Sequence, residues 1–263
     1  MRHLFKNWQE IKEQISANAV MLFLDFDGTL APIARTPDKA ELPRATRNLL
    51  GEIVKKSNLK FSIISGRSLN SLKDKIGISG IIYSGNHGLE IEGPKIKFKV
   101  LLSAGDKSML TDIKNILLTR LKRFKGILLE DKALSLSLHY RLVEKKYRSQ
   151  VISAFNKALI SCKAGKKIRI KHGKMVFEIR PNIDWDKGKV ALWLFARQKF
   201  ALKGKRIIPV YIGDDLTDED AFKALKDKGI TILVGGPKKN SSARYFLRNT
   251  AEVLDFLKRV RDI

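Results

Sequence analysis

Cysteine is nearly absent from the sequence: Cys162 is the one cysteine in 263 residues, so the chain can form no internal disulfide. Chains without disulfides are typical of reducing compartments such as the cytoplasm. The cysteine and the four histidines do not occur in the spacing of zinc ligands. The sequence also lacks an apolar run of about 18 residues, which a membrane-spanning helix needs. We therefore expect a cytoplasmic globular protein without a structural zinc site or a membrane span.

Acidic residues are few relative to basic ones, 27 against 52, which gives a formal net charge of +25. A strong positive field attracts polyanions whatever the fold, so a nucleic-acid partner is one hypothesis. The Lys and Arg residues are nevertheless spread from end to end among acidic residues, without an arginine-rich or aromatic-basic block. This distribution favours a solvated, lysine-rich surface, and it makes a nucleic-acid partner the weaker hypothesis.

The N-terminal residues, MRHLFKNWQEIKEQI, lack the apolar core and the small-residue cleavage site of a signal peptide. They predict an amphipathic helix over residues 3–17. At 263 residues the chain exceeds the usual size of one domain, so we expect one large domain or a domain with an inserted module.

The stretch VMLFLDFDGTLAPI, residues 20–33, begins as an apolar run and then turns polar. The run predicts a strand buried on both faces, and the strand ends at Asp25. Alternation along an extended chain places Asp25 and Asp27 on one side of the strand tip, where a divalent metal most simply relieves their repulsion. Gly28 lets the backbone bend close to a ligand, and the Thr29 hydroxyl can cap the next turn. The alternative is an ordinary strand followed by an Asp-Gly turn.

Apolar runs and amphipathic segments alternate through most of the chain. Strands are predicted at 59–64, 81–83, 207–212 and 230–234, and helices at 43–57, 68–76, 189–200, 219–226 and 251–260. Alternating strands and helices imply a parallel sheet with right-handed crossovers. In such sheets ligands bind at the carboxyl ends of the strands.

Polar residues follow two further strands and precede one helix. Ser65, Gly66 and Arg67 end the strand at 59–64, and a hydroxyl, a glycine and a cation there suit a phosphate oxygen. The strand at 207–212 leads into GDDLTDED, where five carboxylates lie within residues 214–220. So many carboxylates require a cation, and ligation by oxygen alone favours magnesium. A lysine at a helix start opposes the helix dipole, so Lys187 suggests an anion nearby, with Lys189 as its rival.

Residues 103–180 have a different composition, and they predict two helices (103–124 and 145–160) and two pairs of strands (127–142 and 167–180). This segment resembles an inserted α/β module. Within it, period-two alternation places Glu130 and Lys132 on one face of a strand. From the residues alone, these two and the pair Lys174 and Glu178 are ordinary cross-strand charges.

Four strings in order, DFDGTL, SGR, WDKG and GDDLTDEDAF, resemble the motifs of the haloacid dehalogenase superfamily of phosphotransferases. Three further strings, SGNHGLEI, EDKALSLSLHYR and GKMVFEIRP, are similar to segments of the trehalose-6-phosphate phosphatases. The resemblance extends from about residue 20 to 235. It implies a Rossmann-like, parallel-sheet haloacid dehalogenase core over residues 1–103 and 181–263, with an inserted α/β cap domain over 104–180 that sets substrate specificity.

The resemblance also implies roles for the site residues. Asp25 is expected to be the nucleophile and Asp27 the general acid and base, while Ser65 and Lys187 hold the phosphoryl group. Lys187 is preferred to Lys189 because the family pattern is W-x-K-G. The remaining expected roles fall into three sets: substrate binding at Gly66, Arg67, Asn86 and His87; sugar binding at Glu130, Lys132, Lys174 and Glu178; and a Mg²⁺ site at Asp25, Asp27 and Asp214, with Asp215 and Asp218 holding water or the loop.

The implied activity is magnesium-dependent hydrolysis of trehalose 6-phosphate through an aspartyl-phosphate, by a monomer whose partner is a small sugar phosphate. Two alternatives remain open. One is a phosphatase of the same superfamily that acts on a glycosylglycerate phosphate or sucrose phosphate. The other is a basic polyanion-binding protein whose phosphatase site is idle or secondary.

Overall fold

The computed structural model describes residues 1–162, 165–202 and 206–263. Thirteen strands lie in these residues: β1 Arg2–His3, β2 Ala19–Leu24, β3 Leu59–Ile64, β4 Ile82–Gly85, β5 Glu90–Gly93, β6 Ile96–Lys99, β7 Leu128–Asp131, β8 Leu136–His139, β9 Ile168–Gly173, β10 Val176–Pro181, β11 Ile207–Gly213, β12 Ile230–Val234 and β13 Tyr245–Leu247. The same ranges contain eight α-helices: α1 Trp8–Ser16, α2 Arg44–Ile53, α3 Leu69–Ile76, α4 Ala104–Leu121, α5 Arg148–Ser161, α6 Lys187–Ala201, α7 Glu219–Leu225 and α8 Thr250–Arg261. None of the described helices is both long and apolar enough to cross a bilayer.

The chain divides into two compact units. The first unit comprises Met1–Lys99 and Trp185–Ile263, and the second comprises Val100–Asp184. The sequence prediction set the borders at 103/104 and 180/181. The assignment of substrate specificity to the inserted segment stays a prediction.

The first unit is built on a nine-stranded sheet with the order β1-β13-β12-β11-β2-β3-β4-β5-β6. Its central strands are parallel, with Val210 paired to Leu22 and Leu22 paired to Phe61. Only β5 and β6, at one edge, run antiparallel to their neighbours. Helices connect the parallel strands, as right-handed crossovers require. The predicted α/β class with a parallel-sheet core is therefore confirmed.

The central strand β2 is buried on both faces, as its continuous apolar run predicts. Leu22 and Leu24 point into one hydrophobic core, while Met21 and Phe23 point into the other. Burying one such side chain stabilises the fold by about 1.5–3 kcal/mol. Cores on both faces of the sheet hold the strand ends in place, so the residues that follow β2, β3 and β11 have a rigid support.

Several predicted element limits are wrong. The helix predicted from residue 3 begins at Trp8, because Arg2–His3 pairs with β13 and Leu4–Asn7 forms a 3₁₀ turn. The helix predicted to run to residue 57 ends at Ile53. Helix α6 begins at Lys187, two residues earlier than predicted, because the Asp186 side chain accepts a hydrogen bond from the Lys189 amide and caps it.

The second unit contains a four-stranded antiparallel sheet with the order β7-β8-β10-β9. One face is apolar, with Leu138 paired to Phe177 and both side chains buried. Helix α5 packs on this face, where the rings of Phe155 and Phe177 stack with centroids 4.1 Å apart. Alternation then places the polar residues of the strands, among them Glu130 and Glu178, on the opposite face.

Candidate active site

The predicted catalytic residues meet at the carboxyl edge of the large sheet. Asp25 follows β2, Ser65 follows β3 and Asp214 follows β11, and all three are buried. The Asp25 amide donates to the Ile212 carbonyl at 2.9 Å, which continues the β2–β11 ladder to the site. The parallel sheet thus brings together residues that are up to 189 positions apart in the sequence.

Three carboxylates form a compact cluster at this edge. Asp25, Asp214 and Asp218 each offer one carboxylate oxygen, and these oxygens lie within 4.8 Å of one another. Gly28 makes room for the cluster, because a Cβ built there would stand 1.9 Å from Asp214 Oδ2. Its φ of +84° also favours glycine. A cluster of buried carboxylates offers the hard oxygen ligands that Mg²⁺ prefers.

Asp218 has both carboxylate oxygens occupied by donors from the protein. Oδ1 accepts from Lys187 Nζ and from the Tyr211 hydroxyl, each at 2.8 Å. Oδ2 accepts from the amides of Asp214 and Asp215, each at 3.0 Å. Asp218 is fully buried. These four bonds agree with the predicted role of Asp218 in loop geometry, which stays a prediction.

Lys187 lies at the start of α6 and reaches the carboxylate cluster. Its Nζ stands 2.8 Å from Asp25 Oδ1 and 2.8 Å from Asp218 Oδ1. Burial alone would lower the pKa of Lys187, but the charges of Asp218 and Asp25 outweigh it and raise the pKa. Lys187 therefore carries a positive charge beside Asp25.

Burial raises the pKa of Asp25 well above its ordinary value. The charge of Lys187 opposes this rise, while the charges of Asp218 and Asp214 add to it. A second positive charge at the cluster would favour the ionised carboxylate that a nucleophile requires. The electrostatics of the cluster and its carboxylate oxygens thus both indicate a site for a cation.

Asp27 lies outside the buried cluster and pairs with Arg67. Its two carboxylate oxygens accept from Arg67 Nε and Nη2, both at 2.7 Å. Arg67 also donates to the Pro37 carbonyl at 2.9 Å, and its guanidinium lies over the Phe26 ring. The Asp27 side chain is 39 % exposed, whereas that of Asp25 is 6 % exposed. The two motif aspartates therefore occupy different environments.

The Thr29 hydroxyl does not cap the next turn, so that prediction is wrong. Thr29 is buried, and its hydroxyl has no hydrogen-bond partner in the part of the chain that the structure describes. The turn is closed by the main chain, where the amides of Leu30 and Ala31 donate to the Phe26 carbonyl at 3.0 and 2.9 Å. The amides of residues 28–31 all donate to main-chain carbonyls, so none of these four needs the hydroxyl.

A loop after β4 holds the residues that follow β3. The amide of Asn86 donates to the Arg67 carbonyl at 2.7 Å, and the amide of His87 donates to the Ser65 carbonyl at 2.9 Å. The His87 ring lies so close to Gly66 that a Cβ there would stand 2.7 Å from it. Asn86 and His87 have φ of +49° and +55°, a strained conformation that is frequent at functional sites.

Asn86 is fully buried, and its side-chain amide donates to Glu90 Oε1 at 2.7 Å. The same Glu90 oxygen accepts from the Leu69 amide at the start of α3, at 3.2 Å. Asn86 thus contacts the protein around the site, and its predicted contact with substrate stays a prediction. Glu90 was missed, although it lies within the SGNHGLEI string that drew attention to Asn86.

Three of the four predicted sugar-binding residues lie together in the second unit. Glu178 Oε1 accepts from Lys132 Nζ at 3.0 Å, and Glu130 Oε2 stands 3.8 Å from the same nitrogen. Lys132 and Glu178 are buried. Lys174 is exposed in the turn between β9 and β10. The structure thus joins Glu130, Lys132 and Glu178 in one charged group.

The comparisons with known proteins agree with this geometry. The sequence model of the trehalose-phosphatase family matches residues 23–251. The chain belongs to the trehalose-phosphatase family. A probable trehalose-phosphate phosphatase 4 of Oryza sativa subsp. japonica is 36 % identical over 258 residues, which cover 96 % of this chain and 69 % of the relative. Trehalose-phosphate phosphatase B of Arabidopsis thaliana is 33 % identical over 264 residues, with the same two coverages.

Solved structures of similar proteins have the same fold. The C-terminal domain of C. albicans trehalose-6-phosphate phosphatase superposes with a TM-score of 0.85 at 23 % identity, over 98 % of this chain and 97 % of that one. A trehalose-6-phosphate phosphatase related protein gives a TM-score of 0.72 at 22 % identity, over 92 % and 97 % of the two chains. The predicted family, enzyme class and haloacid dehalogenase-like fold are confirmed.

Two hydrogen bonds, one in each unit, escaped the sequence analysis. Tyr211 lies within an apolar strand, and nothing in that strand marks its hydroxyl as the partner of Asp218. Ser137 lies opposite Glu178 and donates to Glu178 Oε1 at 2.7 Å. Alternation along β8 could have placed Ser137 on the polar face, but the pairing of β8 with β10 was needed to find its partner.

Proposed function

We propose that the protein hydrolyses trehalose 6-phosphate to trehalose and inorganic phosphate, with Mg²⁺ as cofactor. The observation that carries this proposal is the buried group of Asp25, Lys187 and Asp214 at the carboxyl edge of the sheet in a chain of the trehalose-phosphatase family. A nucleophile, a cation and a metal-ligating carboxylate are the groups that phosphoryl transfer needs. We also propose a cytoplasmic monomer, in keeping with the lone Cys162.

The residues present fit a magnesium ion. Asp25 and Asp214 supply carboxylate oxygens, and the space that Gly28 leaves open is bounded by the Asp214 carboxylate. We assign the ion to Asp25, Asp214 and the main-chain carbonyl of Asp27, with Asp215 and Asp218 shaping the loop. When bound, Mg²⁺ supplies positive charge that offsets the repulsion between the nucleophile and the phosphate.

Asp25 acts as the nucleophile. One of its carboxylate oxygens forms a bond to phosphorus while the bond from phosphorus to the sugar oxygen breaks, which gives an aspartyl-phosphate. Forming this intermediate divides one difficult displacement into two easier ones. Lys187 and the Ser65 hydroxyl hold phosphoryl oxygens as negative charge redistributes in the transition state.

Asp27 moves the protons. It donates a proton to the sugar oxygen that leaves, and it then takes a proton from the water that cleaves the aspartyl-phosphate. Its exposure suits this role, because a half-exposed carboxylate can exchange protons with solvent. The guanidinium of Arg67 orients the carboxylate through its two hydrogen bonds.

Residues of the second unit recognise the sugar in this proposal. Glu130, Lys132, Lys174 and Glu178 hydrogen-bond the glucose ring farther from the phosphate, while Gly66, Arg67, Asn86 and His87 line the phosphate side. Charged groups that are already held together suit a sugar, whose hydroxyls both donate and accept. The group formed by Glu130, Lys132 and Glu178 supports this assignment.

Phosphate release from a panel of substrates tests the proposal. The panel contains the phosphates of trehalose, sucrose, glucose and glycosylglycerate, each assayed with magnesium and with excess chelator. We expect the highest kcat/KM with trehalose 6-phosphate and no turnover in chelator. A higher kcat/KM for another sugar phosphate of the panel would make that compound the proposed substrate. If no member of the panel is hydrolysed, the proposed phosphatase activity is wrong.

A further inference from the structure

We propose that strand β8 positions the sugar-binding carboxylates, with Ser137 holding Glu178 and His139 holding Glu130. This inference rests on the proposed function, because it assigns a purpose to residues that act through Glu130 and Glu178. Neither Ser137 nor His139 is proposed to touch the sugar or the phosphate. Both are positioning residues, and their effect is therefore expected on specificity for the sugar.

The register of the second unit places these residues in one row. Glu130 on β7 pairs with Ser137 on β8, Ser137 pairs with Glu178 on β10, and Glu178 pairs with Lys171 on β9. Directly opposite residues of antiparallel strands lie on the same face, with Cβ atoms about 4.5–5.5 Å apart. The row therefore crosses the whole sheet on its polar face, and β8 stands between the two glutamates.

Ser137 is placed to orient Glu178. Its hydroxyl donates to Glu178 Oε1 at 2.7 Å, and Lys132 Nζ donates to the same oxygen at 3.0 Å. Ser137 is fully buried, so water does not compete for this bond. Two donors, Ser137 on β8 and Lys132 in the turn between β7 and β8, restrict the carboxylate to one orientation, and such pre-organisation lowers the entropy lost when a ligand binds.

His139 gives Glu130 a similar contact. His139 Nε2 stands 3.2 Å from Glu130 Oε2, and His139 lies two residues after Ser137, on the same face of β8. Because every second side chain of a strand lies on the same face, Ser137 can contact Glu178 on β10 while His139 contacts Glu130 on β7. Each proposed sugar-binding glutamate is therefore held by β8, although Glu130 and Glu178 lie on different strands.

A double-mutant cycle separates positioning from support of the fold. Ser137→Ala is combined with Glu178→Ala, and kcat/KM is measured for trehalose 6-phosphate and for p-nitrophenyl phosphate, which carries no sugar. We expect Ser137→Ala to lower kcat/KM for trehalose 6-phosphate about tenfold, since the lost bond joins a hydroxyl to a charged group. The loss is expected mainly as a higher KM, and it is expected to vanish in the Glu178→Ala background because Ser137 acts through Glu178.

Ser62→Ala is the matched control. Ser62 is also fully buried in a strand, and its hydroxyl donates to the Ile82 carbonyl at 2.9 Å without touching a carboxylate. It is expected to lower the melting temperature by a similar amount and to leave the preference for trehalose 6-phosphate unchanged. If Ser137→Ala does not fold, Ser137→Cys keeps the size of the side chain, weakens the donor, and carries the same expectation.

The outcomes separate this inference from the proposed function. Equal losses on both substrates, no loss on either, or independent losses in the double mutant would show that Ser137 does not act through Glu178 and would overturn the inference alone. A wild-type enzyme that cleaves p-nitrophenyl phosphate but not trehalose 6-phosphate would instead overturn the proposed substrate, and with it the role of β8. Coupling seen only with trehalose 6-phosphate would support both.

Discussion

Two aspartates separated by one residue differ in every contact that decides their chemistry. Asp25 is buried beside Lys187 and the other acidic residues, whereas Asp27 is half-exposed and held by Arg67. A buried carboxylate next to a fixed cation suits attack on phosphorus. An oriented carboxylate in contact with solvent suits proton transfer. The different positions of Asp25 and Asp27 therefore support the roles proposed for them.

Substitution of each aspartate by asparagine tests this division. Asp25→Asn is expected to abolish turnover, because an amide of nearly the same shape is a poor nucleophile. Asp27→Asn is expected to reduce kcat by about 10²–10⁴-fold, the usual contribution of a general acid or base. Phosphate release and melting temperature would be measured for both variants. A beryllium fluoride analogue should bind beside Asp25, and electron density bonded to any other residue would contradict the nucleophile assignment.

The two buried acidic residues of the last motif should respond differently to magnesium. Asp214→Asn is expected to raise the magnesium concentration for half-maximal activity by at least about tenfold, because a direct ligand loses its charge. Asp218→Asn is expected to lower kcat with a smaller change in that concentration, since Asp218 holds Lys187 and the loop amides.

Activity titrated with magnesium, alongside thermal unfolding, distinguishes the two substitutions. A larger shift in the magnesium requirement for Asp218→Asn than for Asp214→Asn would reverse the assignment of the ligand. Full activity of the wild-type protein in excess chelator would remove the metal from the proposal altogether.

At the scale of single elements, helix α6 carries both an N-cap and Lys187, the lysine proposed to hold the phosphoryl group. Asp186 caps the helix by accepting from the Lys189 amide at 2.9 Å, and Lys187 is the next residue along the chain. The cap sets where the helix begins and therefore where Lys187 Nζ reaches. Helix α8 in the same unit has a comparable cap, in which Asn249 Oδ1 accepts from the Glu252 amide at 3.1 Å.

These two caps provide a matched pair of variants. Asp186→Ala and Asn249→Ala are each expected to cost about 1 kcal/mol of stability. For a protein of this size, that corresponds to a melting temperature lower by about 2–4 °C. Only Asp186→Ala is expected to lower kcat as well, because only that helix carries Lys187. Equal kcat values for the two variants would show that Lys187 is held by its carboxylate partners alone.

The sequence predicts the elements that are continuous apolar runs better than the elements that are short. Strands β2, β3, β11 and β12 could be predicted because both of their faces are buried. The hairpin of β5 and β6 was missed, although its alternating residues around Pro94 and Lys95 are a hairpin signal. Strand β13 is three residues long, too short for periodicity to identify.

Contacts between distant residues mark the limit of sequence reasoning about the site. Motif resemblance indicated Asp25, Lys187 and Asp214, which the structure brings together. The pairing of Asp27 with Arg67 joins residues 40 positions apart, and nothing local to either residue encodes it. The Tyr211 bond to Asp218 likewise depends on the path of the loop after β11.

At the scale of the whole molecule, the net charge of +25 invites a role in binding anions. Its spread along the sequence argues against a dedicated nucleic-acid surface. A diffuse positive field nevertheless raises the local concentration of any anion, including a sugar phosphate that carries two negative charges. The excess positive charge would therefore assist the proposed reaction by attracting the substrate. This effect requires no binding partner other than the substrate.

Salt should therefore weaken the enzyme through KM. Between about 0.01 M and 0.15 M ionic strength the Debye length falls from about 30 Å to about 8 Å, so most of the diffuse attraction is screened. We expect KM for trehalose 6-phosphate to rise severalfold over this range while kcat changes little.

Inhibition by the product trehalose provides the control, because a neutral ligand does not sense the field and its inhibition constant should stay constant. If that constant rises in parallel with KM, salt is disturbing the sugar site itself. A dedicated polyanion site would instead reveal itself through single-stranded DNA that binds with an affinity falling as a high power of the salt concentration, since each neutralised phosphate releases a counterion.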